Sequence, residues 1–254
     1  MNPTWVPAWG RAFAALLLAT LLGLTGCAAV PGSGATERDP WERMNRKVFA
    51  FNEAVDEVAI KPAAMVYQGV VPGVVRTGVS NVFGNVNDVW TAGNLLLQAK
   101  PRQALQMGMR AVVNTSFGLL GLLDVAEEAG LERFTTEDFG QTLGYWGIKT
   151  GPYIVLPLLG PSNLRETAAL AADIKDSAAS VLWHEPRDRN AATVLQLLDT
   201  RVRLLNAGRV LDEIALDKYV LLRDAYLARR RSLVYDGDPP EDDTAPPPFR
   251  GQAR

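Results

Sequence analysis

The sequence predicts a mainly α-helical body forming a single domain, with short helices and one irregular Gly/Pro-rich segment. Three observations carry this. Apolar residues recur at spacings of three and four, the period of one helical face. Prolines and cap-forming residues separate these windows. From Phe139 to Leu164 the pattern stops: the only charge is Lys149, and Gly151, Pro152 and Pro157 interrupt the run.

The first stretch is a leader. Residues 12–24 are mainly apolar, which suits a signal core and is too short to cross ~30 Å of hydrocarbon. Leu24-Thr25-Gly26-Cys27 follows, holding the single cysteine of 254 residues. An apolar residue, two small residues and cysteine form a bacterial lipobox, in which the peptide is cut before Cys27 and the cysteine is acylated. The alternatives are an ordinary secretory signal with a free thiol, or an uncleaved anchor. The division is 1–26 signal peptide, 27–38 lipidated tether, 39–235 helical body and 236–254 disordered tail rich in proline and acid. Removing Arg11 with the leader takes the net charge from −2 to −3. One cysteine makes no intrachain disulfide, so the fold rests on its own core.

In the body, Asp39 suits an N-cap, Pro40 the first helical position and Glu42 a capping box. Trp41, Met44, Val48, Phe51, Val55 and Val58 make one face of this helix, read as buried core with a lipid-facing stripe as the alternative, and Pro62 ends it. Between 63 and 98, Gly69, Pro72, Gly78, Gly84 and Gly93 predict short helices. Another helix runs from Pro101 toward Phe117. Fourteen of the 22 glycines lie between 69 and 161, which reads as close backbone approach or packing in lipid, with loose loops as the alternative.

Residues 111–123 carry no charge, yet are too short and too polar at Asn114 to span a bilayer. Residues 127–138 are acidic and read as a solvated loop or hairpin. The stretch 139–164 reads as extended or irregular backbone. Ser162 caps a helix reaching about Trp183, and Pro186 breaks the chain. A helix with Val194, Leu198, Val202 and Leu205 follows. The last carries Tyr219, Leu222, Tyr226 and Leu227 and ends in Arg229-Arg230-Arg231. That triplet suits a helix C-terminus, with anionic headgroups as the other use.

Catalytic chemistry finds little material. His184 is the single histidine, so neither a zinc site nor a Cys-His pair can be assembled. Gly160-Pro161-Ser162-Asn163-Leu164 lacks the second glycine of a nucleophile elbow. No phosphate-binding glycine motif, catalytic residue, metal site or cofactor is read. The slightly acidic charge argues against nucleic acid.

Several ordered motifs resemble the MlaA/VacJ family of outer-membrane lipoproteins. They are Asp39-Pro40-Trp41-Glu42-Arg43-Met44-Asn45-Arg46 with Phe51-Asn52, Lys61-Pro62 and Tyr67, then Asn81-Val82-Phe83-Gly84-Asn85 and Asn94-Leu95-Leu96-Leu97-Gln98. Asn114-Thr115 with Gly118 and Gly121 follows, then Glu137-Asp138-Phe139-Gly140-Gln141-Thr142-Leu143-Gly144 and Gly151-Pro152-Tyr153. Leu156-Pro157, Gly160-Pro161-Ser162 and Leu164-Arg165 complete the set. Glu166 departs from the aspartate that often follows this arginine. Ala28 and Ala29 resemble the residues after the cysteine in lipoproteins sorted to the outer membrane.

The resemblance implies a ring-like helical domain embedded in one leaflet, on the periplasmic side of the outer membrane. It implies a channel that removes mislocalised phospholipids from the outer leaflet and passes them to a soluble periplasmic carrier. Trimeric outer-membrane porins are the implied partners, and no reaction is catalysed. The alternative is a scaffolding lipoprotein that binds porins without moving lipid. A headgroup path needs polar groups without fixed charge, so Asn81, Asn85, Asn94, Gln98, Asn114 and Gln141 are its candidates, unless they satisfy backbone groups. Segment 127–147, with Glu137, Asp138, Phe139, Gly140 and Gly144, resembles the family's gating hairpin.

Overall fold

The structure is a computed structural model that describes residues 38–134, 136–175 and 177–240. The leader, Cys27, most of the tether, and residues 241–254 of the tail lie outside the described residues.

The predicted mainly α class holds. Helices α1 (Glu42–Val55), α2 (Lys61–Val70), α3 (Gly73–Leu97) and α4 (Pro101–Phe117) come first. Short α5 (Val125–Glu128) and α6 (Phe139–Tyr145) follow. Strands β1 (Tyr153–Leu156) and β2 (Gly160–Asn163) form an antiparallel hairpin with Tyr153 opposite Asn163 and Leu156 opposite Gly160. Helices α7 (Leu164–Lys175), α8 (Ala178–Leu182), α9 (Pro186–Ile214) and α10 (Lys218–Val234) complete the chain. No single helix among the described residues is long and apolar enough to cross a membrane.

Two expected helix breaks are absent. Pro62 does not end α1. A π-helical turn at Asp56–Ile60 intervenes, with the Lys61 N–H reaching back to the Asp56 carbonyl, and Pro62 then sits at the start of α2. The start of a helix leaves N–H groups without intrahelical partners, so proline is tolerated there. The glycines of 73–97 do not divide α3 either. Gly78 is buried, and a Cβ there would meet Leu122 Cδ2 at 3.2 Å, so glycine serves close approach. The real break is Val71–Pro72, where the helical axis turns by 119°.

Asp39 is not the N-cap of α1, which starts at Glu42 without a side-chain cap. It is fully buried instead, accepting from Asn45 Nδ2 at 2.8 Å and from the Tyr219 hydroxyl at 2.5 Å. Asn45 also donates to the Tyr153 carbonyl and accepts from the Val155 N–H, at 3.0 and 2.9 Å. Asn52, two turns further along α1, does the same for Leu156 O and Leu158 N at 2.9 and 2.8 Å. Two side-chain amides thereby stand in for a third strand and satisfy the open edge of β1. Tyr153, Val155 and Tyr219 form the core beneath, with Phe49, Tyr226 and Leu227 against them. The Phe49–Tyr219 and Tyr153–Tyr226 rings meet edge-on at 5.6 and 6.1 Å.

The stretch 139–164 is more regular than its sequence suggests. Asp138 caps α6, accepting from the Gln141 N–H at 2.8 Å, and the second half is the hairpin. Ser162 lies in β2 and does not cap α7. Asn163 does, its Oδ1 accepting from the Glu166 N–H at 3.0 Å. The helix expected to reach Trp183 is two helices, α7 and α8.

Candidate functional site

Helix α3 is patterned inside out. Along one face run Asn81, Asn85, Asp88, Thr91 and Asn94, continued by Gln98, at spacings of three and four. All but Asn81 are buried, and Asp88, Thr91 and Asn94 are fully so. The same helix exposes Val74, Val75, Val89, Leu96 and Leu97. Helix α4 repeats the arrangement, burying Arg110 and Asn114 while Leu105, Met109, Val112 and Phe117 are exposed. Among the described residues as many polar or charged residues are buried as apolar ones, sixteen of each, and half of the apolar ones are alanine. In water such a distribution forfeits hydrophobic stabilisation. Facing hydrocarbon, the outer apolar side chains lose nothing and the polar ones must turn inward.

The inward groups form two networks. In the first, Arg110 is fully buried between carboxylates: its Nε is 3.4 Å from Asp88 and its Nη2 is 2.7 Å from Asp124. It also donates to the Leu131 carbonyl. Arg133 reaches Asp88 at 3.0 Å and Asp124 at 3.4 Å, so two guanidiniums balance two carboxylates. Burial pushes the Asp88 carboxyl above its ordinary range, and the two arginines only partly offset it. Asp124 is less buried; burial is outweighed there by Asn114 and Arg110, and its pKa falls.

The candidate amides around this quartet have protein partners. Asn114 donates to Asp124 and accepts from the Ala126 N–H, both at 2.9 Å. Asn85 donates to Thr115 Oγ1 and Asn81 to the Leu122 carbonyl, both at 2.9 Å.

The second network lies further along α3. Gln98 donates to Glu137 Oε2 at 2.9 Å and to Thr142 Oγ1 at 3.2 Å. Thr142 donates in turn to Asn94 Oδ1 at 2.8 Å. Gln141 donates to the Thr136 carbonyl at 2.9 Å. Asp138 is gripped by Arg230 through two bonds of 2.6 and 2.8 Å, and Arg230 also pairs with Glu166. Asp173 accepts from Trp90 Nε1 and the Phe139 N–H at 3.0 and 2.9 Å. Burial raises the Glu137 pKa; at Asp138 the Arg230 bonds and charge overcome burial and lower it.

The acidic stretch is therefore solvated only in part. Glu127, Glu128 and Glu132 are exposed, but Glu137 is buried and Arg133 closes the first network. Phe139 opens α6, and Gly140 and Gly144 pack so closely that a Cβ would meet Glu166 and Arg165 below 3.0 Å. Within the basic triplet Arg231 lies in the last turn of α10, as a helix C-terminus suits, while Arg230 joins α10 to α6 and α7.

Of the six candidate amides, Asn81, Asn85 and Asn114 gather at the first network, and Asn94, Gln98 and Gln141 at the second. Two of them retain a buried acceptor without a protein hydrogen bond, Asn85 Oδ1 and Gln141 Oε1. Sequence reasoning missed Asp88, Thr91, Arg110 and Asp124, and named Arg230 without its partner Asp138. The signal for the first two was available, since both fall on the same helical row as the amides.

Two long helices that bury polar side chains and expose apolar ones, in a chain that carries a lipobox, define a membrane-associated lipoprotein class. Comparison with known proteins makes this specific. The family model for the MlaA lipoprotein matches residues 37–233. The intermembrane phospholipid transport system lipoprotein MlaA of Shigella flexneri is 33% identical over 228 residues, covering 88% of this chain and 89% of the relative. That of Haemophilus influenzae is 30% identical over 224 residues, covering 87% and 89%. A solved structure, described as the structural basis for maintenance of bacterial outer membrane lipid asymmetry, superposes with a TM-score of 0.69 at 31% identity. It covers 77% of this chain and 98% of its own. The chain belongs to the MlaA lipoprotein family, and is a lipoprotein of the cell envelope.

Proposed function

We propose that this protein removes mislocalised phospholipids from the outer leaflet of the outer membrane and delivers them to a soluble periplasmic carrier. The single observation that carries the reading is the inside-out patterning of α3 and α4, in a chain one-third identical to phospholipid-transport lipoproteins. The body lies in the inner, periplasm-facing leaflet, brought there by acylation of Cys27 after removal of residues 1–26. Its exposed valines and leucines contact lipid tails. Its polar face supplies the headgroup path, walled by Asn81, Asn85, Asn94, Gln98, Asn114 and Gln141. Amides suit this work because they exchange hydrogen bonds with a passing headgroup without trapping it as a fixed charge does. The spare acceptors of Asn85 and Gln141 favour such exchange.

Segment 127–147 acts as the gate in this reading. Opening it requires Asp138 to leave Arg230, and Glu137 to leave Gln98. The protein acts with trimeric porins, catalyses no reaction and uses no cofactor.

A strain lacking the protein is expected to accumulate phospholipid in its outer leaflet, measured by labelling of surface-exposed amine headgroups. Normal asymmetry in the deletion strain, together with co-purification of the protein with porin from the parent strain, would replace transport by scaffolding.

A further inference from the structure

We propose that the outer groove between α3 and α4 is a phospholipid holding site, taking one acyl chain along α4 and an anionic headgroup at its start. The proposal rests on the phospholipid-transport reading and adds to it a place and a set of residues.

Two cavities adjoin at Pro101. The larger, about 700 Å³, is walled by Leu96, Leu105, Gly108, Met109, Val112 and Val113, with no charged residue on its lining. That volume falls within the ~300–1,000 Å³ of small-ligand pockets. The smaller, about 430 Å³, is lined by Lys100, Arg102, Gln103, Gln106 and Phe134. A polar basic basket thus meets an aliphatic trough, the chemical division of a phospholipid. From Pro101 to Val113 the trough runs ~18 Å at 1.5 Å per residue. Half of a ~30 Å hydrocarbon core, the depth one acyl chain fills, is about 15 Å.

Arg102 supplies the charge complementarity. Lys100 is held by Asp236 at 2.6 Å and lies over the Tyr145 ring. Arg102 is exposed and makes no hydrogen bond or ion pair among the described residues, so its fork is available for a bidentate grip on phosphate.

Gly108 adds an independent argument. It lies mid-helix in α4, where glycine weakens a helix relative to alanine. A Cβ there would meet nothing within 4 Å, so no protein contact requires glycine. What the missing side chain does provide is an open floor for the trough.

The test uses the full chain in phosphatidylethanolamine vesicles carrying phosphatidylglycerol with a diazirine near the end of one acyl chain. Photolabel is expected to concentrate on residues 103–113. Gly108→Leu adds bulk to the floor of the trough, where a Cβ meets nothing within 4 Å, and is expected to cut that labelling about tenfold or more, one order in affinity. Val112→Trp is expected to do the same from the rim, and circular dichroism checks that both variants remain folded. Arg102→Glu is expected to lower labelling by the phosphatidylglycerol probe more than by a phosphatidylcholine probe. Unchanged labelling of the trough-filled variants overturns the proposal. So does label spread evenly over Val58, Val70 and Leu120, which would mark ordinary surrounding lipid. The two readings fail separately: normal asymmetry in the deletion strain with labelling intact removes transport and keeps the site, while the converse removes the site alone.

Discussion

Replacing Arg110 by methionine tests the polar interior most directly. The side chain is fully buried and serves Asp88, Asp124 and the Leu131 carbonyl at once. Methionine keeps most of the volume and removes the charge. Arg133, a third exposed, then faces two carboxylates alone, and Asp88 is fully buried. Breaking a buried pair by deleting one partner costs about 3–5 kcal/mol. For a body of this size 1 kcal/mol moves Tm by about 2–4 °C, so the variant is expected to melt roughly 6–20 °C lower. Thermal unfolding followed by circular dichroism in one fixed detergent reads this out. Adding Asp88→Asn to Arg110→Met removes the orphaned charge and is expected to restore part of the loss, giving a non-additive double-mutant cycle. A single variant within 2 °C of the parent, or a double variant whose losses simply add, would show that the four charges act independently and that the interior is not one coupled network.

Two further outcomes follow from the geometry. Gly118→Ala is expected to cost about 3 kcal/mol or more, at the upper end of overpacking penalties, because the added Cβ would lie 2.2 Å from the Leu123 carbonyl and 2.5 Å from that of Asn114. An unchanged melting curve would mean that the 118–123 turn moves freely. Asp138→Asn is expected to abolish one acid-sensitive component of stability. The folded pKa of Asp138 lies below its unfolded value, so its contribution is complete above ~3.9 and is lost as pH falls through the folded value. Stability measured against pH on the acid side should therefore fall less steeply in the variant; parallel curves would refute the Asp138–Arg230 assignment.

The helices were legible wherever periodicity and punctuation agreed. Helix α4 runs from Pro101 to Phe117, as the spacing predicts, because its proline takes the first helical position. Pro62 misled because a proline alone does not disclose the π turn that precedes it. The glycines of α3 misled because helix propensity is a weak local term that packing overrides, as Leu122 over Gly78 illustrates. Local spacing makes Asp39 a cap, whereas its partners Asn45 and Tyr219 come from opposite ends of the body. The candidate amides were found by chemistry, but their partners were not. Asp138 meets Arg230 across 92 residues and Asn45 meets Val155 across 110, separations that no spacing rule reaches.

The polar interior also bears on the choice between transport and scaffolding. Between helices in lipid there is no hydrophobic drive, so association rests on small residues and polar contacts. The alanines against Met107 and Leu95 and the amide rows of α3 and α4 meet that need. Stability alone does not demand so many polar groups, because replacing a buried ion pair by well-packed apolar residues is often neutral or stabilising. A body that only had to hold a porin could present the same apolar exterior around an apolar core. Two charged pairs, six amides and two spare acceptors gathered about α3 and α4 are an arrangement that a zwitterionic or anionic headgroup can use, beyond what holding a porin requires.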